Sequence, residues 1–289
     1  MRLTISHSTR FRFTRPLTNA VQMLRLTPQS SLNQTVLDWR IDVDCDARLR
    51  EARDGYGNCL TALYVDEPVT TLTITAQGQV VTDDRAGVVS GLGSELPPGV
   101  FLRPTALTMP DEAIGDFAAG ITRSLPSTLD RLHALSGALA ERMTFETGTS
   151  AVSTTAADAF AAGRGVCQDY AHIFITAARA RGIPARYVSG HLYRRDGAGP
   201  QPAGHAWAEA WVDGLGWVAF DPANGTCADD AYVRVASGLD FADVSPIVGT
   251  RRGGGTEEME VEVRVTKSTA RRQSQRQGRG GSWQSQSQG

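Results

Sequence analysis

Residues 163–184 read GRGVCQDYAHIFITAARARGIP, and the fold turns on the fifth of them, Cys167, and on the helix that begins there. Gly163 and Gly165 supply a flexible turn. Ala171, Phe174, Ala177 and Ala178 then recur at helical spacing, and Gly182 with Pro184 stops the element. This pattern places Cys167 in the first turn of a buried helix. Unpaired backbone N–H groups and the positive end of the helix dipole gather there, an environment that favours thiolate and can hold an oxyanion. A lone cysteine is more often a small residue filling a gap in a core, so the reading needs support from elsewhere in the chain.

That support is residues 205–221, HAWAEAWVDGLGWVAFD, which read as two strands joined at Asp213-Gly214-Leu215-Gly216. His205, Trp207, Glu209 and Trp211 share one face of the first strand, and Trp217, Ala219 and Asp221 one face of the second. For His205 and Asp221 to meet, Trp211 must lie opposite or near Trp217, which requires a loop with an odd number of residues or a bulge. A five-residue loop from Val212 to Gly216 satisfies this, whereas a two-residue turn puts the pair on opposite faces. Cysteine, histidine and aspartate are the residue types that nucleophilic acyl chemistry needs: a thiolate to attack, an imidazole to carry the proton, and a carboxylate to orient the ring.

GVCQDYAHIFITAARARGIPARYVSGHLY followed by GHAWAEAWVDGLGWVAFDPANG resembles the core of the transglutaminase-like superfamily, in its bacterial branch of papain-like fold. SHSTRFRFTRPLTNAVQMLRLTP is similar to the all-β region that precedes that core, and the segment from VRVASGLDF to VEVRV is similar to its C-terminal end. The resemblance implies an α+β fold with a cysteine-bearing helix packed on an antiparallel sheet. It also implies Cys167 as nucleophile, His205 as base and acid, and Asp221 as orienting group. Gln168, Tyr187 and Trp207 are the candidates for substrate contact. Leu239, Phe241 and His191 depart from the family pattern at positions expected to touch substrate.

Elsewhere the chain supplies the frame. Its 289 residues suffice for two domains, and a net charge of −2 gives no reason to expect nucleic acid or a membrane surface as partner. No apolar run approaches a membrane span, and the alternating N-terminus is unlike a signal peptide, so the expected location is the cytoplasm. Cys45, Cys59, Cys167 and Cys227 lack zinc-site spacing, so neither a metal nor another cofactor is expected.

Residues 2–13 alternate, with His7 on the apolar face and read as a half-buried structural histidine. Residues 37–45 and 59–65, with strands around a turn at Gln77-Gly78, complete a β-sandwich. Ser90 to Pro110 reads as the connection. Ser127 caps a helix through Met143, with His133 on its flank, and Ser153 or Thr154 caps a short helix leading to Cys167. His172 is read as structural. Residues 194–204 read as a mobile loop ending at His205, and 259–265 as a last edge strand. Of Trp207, Trp211 and Trp217, at least two are expected in the core.

The expected domains are therefore a β-sandwich over 1–96, a catalytic core over 97–266, and a disordered tail over 267–289 rich in Gln, Ser, Gly and Arg. The expected partner is a peptide or protein substrate bearing glutamine or isopeptide groups, and self-association is open. The function read from the chain is acyl transfer through a thioester. A cysteine peptidase or amidase using water is the alternative, and a non-catalytic peptide-binding module the second.

Overall fold

The alternation that starts at Arg2 does not stop at Phe13. In the computed structural model, which describes residues 1–92, 96–197 and 199–268, it continues as one 23-residue strand, β1 (Arg2–Leu24). Leu3, Ile5, His7, Thr9, Phe11 and Phe13 are buried along its first half, and Leu17, Ala20 and Leu24 along its second. The register shifts between Arg12 and Leu17, where the strand changes partners. Its first half lies between β5 (Val69–Thr82) and β15 (Glu257–Lys267), and its second between β4 (Cys59–Val65) and β14 (Ile247–Gly253). With β2 (Gln34–Val43) on β5 and β3 (Arg48–Arg53) on β4, seven strands form one sheet bent about β1. Phe11, Leu72 and Ile74 from one half meet Leu24, Leu63 and Val65 from the other in a single apolar cluster, giving the sandwich character.

Two readings change here. Residues 247–266 belong by sequence order with the core, yet β14 and β15 hydrogen-bond to β1, so both ends of the described chain build the same sheet. The turn expected at Gln77-Gly78 is absent, because β5 runs straight through it. Gly78 marks a close approach instead: a Cβ there would lie 2.2 Å from the Asp38 carbonyl oxygen and 2.7 Å from the Trp39 ring. The tail from residue 269 lies outside the described residues.

The second sheet runs β12 (Thr226–Cys227), β11 (Gly216–Asp221), β10 (His205–Val212), β9 (Ala185–Leu192), β13 (Tyr232–Gly238), with β6 (Val88–Val89) also on β11. Ala206, Ala208, Ala210 and Val212 on one face of β10 pack against a helical layer: α1 (Glu112–Thr122), α2 (Thr128–Arg142), α3 (Ala156–Ala162) and α4 (Cys167–Ala180). Small side chains on β10 let α4, buried from Asp169 to Ala178, lie directly on the sheet. Ser127 caps α2 as expected, while Thr155, one or two residues later than read, caps α3 by accepting from Asp158 N.

The bent sheet docks on β13, an edge strand that would otherwise present unpaired backbone groups. Asn58 Nδ2 donates to Ser237 O at 2.9 Å and its Oδ1 accepts from Ser237 N at 2.9 Å. Gln34 does the same to Arg234. Two buried side-chain amides thus stand in for a neighbouring strand. His7, on β1, meets His191, on β9, edge to face at 5.5 Å, and Trp39 covers the same His191 ring.

Candidate active site

Three elements end close together. α4 begins at Cys167, with the turn before it set by Asp169, whose Oδ2 accepts from Val166 N at 2.7 Å and from the Ser150 hydroxyl at 2.6 Å. Gly165 makes room for that carboxylate, since a Cβ there would lie 2.5 Å from Asp169 Oδ2. Among the described residues the backbone N–H groups of Cys167 and Gln168 have no acceptor, as the first turn of a helix dictates. Cys167 is partly exposed.

β10 and β11 pair antiparallel with Trp211 opposite Trp217 and Val212 opposite Gly216. The intervening loop is therefore odd in length, shorter than the five residues read but of the same parity. His205, which starts β10, and Asp221, which ends β11, consequently meet on one face. His205 Nε2 lies 2.6 Å from Asp221 Oδ2, with the histidine side chain 11 % exposed and the aspartate fully buried.

Asp221 is held from several sides. Oδ2 also accepts from Asn224 Nδ2 at 2.7 Å and from the Tyr232 hydroxyl at 2.8 Å, and Oδ1 accepts from the backbone N–H groups of Ala223 and Asn224. Burial alone would raise its pKa, but the hydrogen bond and charge of His205, with the Asn224 and Tyr232 bonds, bring it below the ordinary carboxylate value. Burial likewise lowers the pKa of His205. Hydrogen bonds to Asp221 and Cys167, and their charges, outweigh it and push the imidazole up to about 10. With Nε2 taken by Asp221, Nδ1 is the nitrogen left for Cys167. The ring stacks over buried Trp207 at 6.1 Å, which fixes its plane.

The other sequence candidates divide by burial. Gln168 is half-buried beside Cys167, and its Nε2 donates to Val152 O at 3.3 Å. Tyr187 and Trp207 are each 2 % exposed, so the structure places them beneath the site as support rather than on a surface that substrate touches. Tyr187 packs against His172 at 5.0 Å, and burial, with the nearby Cys167 and Asp169, holds its phenol well above the ordinary value. His172 is fully buried and accepts from Phe241 N at 3.2 Å, in keeping with a structural role. His133 lies exposed on the flank of α2 against Phe220.

Of the three departures from family pattern, His191 and Leu239 are buried and Phe241 is half-buried. His191 packs on His7, Leu239 joins Phe101 and Trp217, and Phe241 packs on Tyr187. Two described points of the loop read as mobile bond to the rest of the fold: Gln201 exchanges two backbone hydrogen bonds of 2.8 Å with Val263 of β15, and Arg195 pairs with Asp229 and Asp230.

Asn224 and Tyr232 are missing from the sequence reading. Asn224 had a signal, because Asp221-Pro222-Ala223-Asn224-Gly225 is turn chemistry in which a side chain reaches back to its own loop. Tyr232 had none, since it arrives on a different strand.

Residues 115–222, which hold Cys167, His205 and Asp221, match the family described as the transglutaminase-like superfamily. Residues 3–81 match the bacterial transglutaminase-like N-terminal region. An uncharacterized protein of Mycobacterium leprae is 32 % identical over 278 residues, spanning 92 % of this chain and 99 % of its own. The chain belongs to the transglutaminase-like superfamily. An uncharacterized protein of Mycobacterium tuberculosis is 31 % identical over 273 residues, covering 86 % of this chain and 87 % of that one. The fold is shared with a crystal structure from Cytophaga hutchinsonii named as a candidate cysteine protease (TM-score 0.74, 21 % identity, covering 93 % of this chain and 92 % of that one). The papain-like arrangement of this superfamily, a helix carrying cysteine packed on an antiparallel sheet, is the one described above.

Proposed function

We propose that the chain is a cysteine-dependent acyl-transfer enzyme in which Cys167, His205 and Asp221 act as nucleophile, proton carrier and orienting carboxylate. The observation that carries this reading is the 2.6 Å bond between His205 Nε2 and a fully buried Asp221. It holds the imidazole through Nε2, which leaves Nδ1 as the nitrogen available to the thiol at the start of α4.

The Cys167 sulfur attacks the carbon of a glutamine carboxamide or a peptide or isopeptide carbonyl. The oxygen takes up the negative charge and is met by the free N–H groups at the start of α4. As the C–N bond breaks, His205 gives its proton to the departing nitrogen, which leaves as ammonia or an amine, and a thioester remains on Cys167. An incoming amine, or water, then loses a proton to His205 as it attacks the thioester, and the sulfur leaves as thiolate beside the imidazolium, with the acyl group on the acceptor. His205 is 11 % exposed and Cys167 partly so, which leaves the thioester open to either acceptor.

The test is mass spectrometry of glutamine-containing peptides incubated with the protein, with and without a primary amine, alongside Cys167→Ala. Amine-dependent mass gain identifies transfer. Deamidation or cleavage without amine identifies water as acceptor. Either activity persisting in Cys167→Ala would remove the mechanism.

A further inference from the structure

Two of the large apolar side chains left exposed, Phe145 and Val152, belong to segments that touch the first turn of α4. Phe145 is 53 % exposed and Val152 is 65 % exposed. Both are tied to the turn that bears Cys167. Phe145 pairs with Gly165 across the short parallel pair β7 (Thr144–Phe145) and β8 (Arg164–Gly165), and its ring leans on Tyr170 of α4 at 6.4 Å. Val152 receives its hydrogen bond from Gln168, the neighbour of Cys167.

The backbone of β7 adds a direction. Thr144 N donates to Gly163 O and Glu146 N to Gly165 O, so the N–H and C=O of Phe145 face away from β8. They take no other partner among the described residues, which leaves an open edge on the side of β7 away from β8, one strand from the segment that leads into Cys167. The charged groups next to this edge, Arg164 and Glu146, lie 3.6 Å apart and compensate each other, so the shoulder carries no net charge to attract an ionic side chain.

We infer that Phe145 and Val152 form an apolar subsite that selects a peptide substrate with an aliphatic or aromatic residue beside the attacked carbonyl, received in extended form along β7. The inference rests on Cys167 being the nucleophile proposed above.

The experiment uses two peptidyl acyloxymethyl ketones that differ only in carrying leucine or aspartate next to the ketone-bearing residue. The Cys167 thiolate displaces the carboxylate, forming a C–S bond as the C–O bond breaks, and intact mass reports the rate. Each rate is divided by the rate with iodoacetamide, which has no side chain to place. The leucine probe is expected to exceed the aspartate probe by roughly tenfold, the discrimination an apolar pocket supplies. Phe145→Ser and Val152→Ser should each erode that ratio severalfold, and Phe145→Leu should retain it. Equal rates for the two probes in the wild type, or an unchanged ratio in both serine variants, would overturn the subsite while leaving Cys167 as nucleophile. Failure of iodoacetamide to modify Cys167 in the folded protein would instead overturn the proposed nucleophile, and the subsite with it.

Discussion

Gln34 and Arg234, two hundred residues apart in sequence, exchange two hydrogen bonds: Gln34 Nε2 donates to Arg234 O at 2.8 Å, and Arg234 N donates to Gln34 Oε1 at 2.9 Å. Arg234 lies two positions along β13 from Tyr232, whose hydroxyl holds Asp221. The bent sheet therefore reaches the carboxylate of the site through one strand. Gln34 is 5 % exposed, so truncating it leaves both backbone groups of Arg234 without a partner and without ready access to water. Gln34→Ala is expected to cost about 2 kcal/mol, the scale of a buried polar group left unpaired. Urea denaturation measures this, and a loss under about 0.5 kcal/mol would mean that the amide is not what holds the two sheets together.

The high pKa of His205 is a consequence of its partners and should fall when one is removed. Burial works against the imidazolium, and the bonds and charges of Asp221 and Cys167 override it to reach about 10. Asp221→Asn keeps the burial and a hydrogen-bonding group but deletes the carboxylate charge. The imidazole pKa, followed by NMR of labelled histidine, should then drop by at least about one unit toward its ordinary 6.5. A pKa unchanged in Asp221→Asn would show that the carboxylate does not govern the ring.

Gly165 tests the turn that presents the thiol. Its backbone is not in the left-handed region, so the requirement for glycine is one of space. A Cβ would lie 2.5 Å from Asp169 Oδ2 and 2.8 Å from Asp169 Cβ. Gly165→Ala should displace the carboxylate from Val166 N and Ser150, costing about 1–3 kcal/mol and slowing alkylation of Cys167 as the turn shifts. Wild-type denaturation midpoint and alkylation rate together would show that the contact relaxes without consequence.

The features legible in the sequence are those written in local pattern. Cys167 stands at a helix start marked by Gly163 and Gly165. The alternation on β10 and β11 ties His205 and Asp221 to one face once the loop parity is set. What was not legible depends on which distant strands become neighbours. Nothing around Val261 announces that it pairs with Thr9, or that Tyr232 ends beside Asp221. Gly78 is ambiguous in another way, because glycine serves equally for a turn and for the close passage of Trp39. Only the position of β2 in the sheet decides between them.

Acid should loosen the junction of the two sheets before it reaches the carboxylates. His7 and His191 are 4 % and 3 % exposed and face each other where β1 meets β9, with Trp39 over the second ring. Both are held neutral: burial lowers His7 to about 4, and burial with the charge of His7 lowers His191 to about 3. The unfolded chain takes up these protons near 6.5, whereas the folded chain resists until its lower values. These two rings therefore take nothing from stability above about pH 6.5 and reduce it as pH drops toward 4, with a slope of up to about 1.4 kcal/mol per pH unit for each group. Neither ring nitrogen of His191 has a partner among the described residues, so His191→Phe forfeits no hydrogen bond and stays folded at pH 7. Urea midpoints measured from pH 7 to pH 4.5 should decline less steeply in His191→Phe than in the wild type. Parallel declines would place the acid sensitivity elsewhere in the fold.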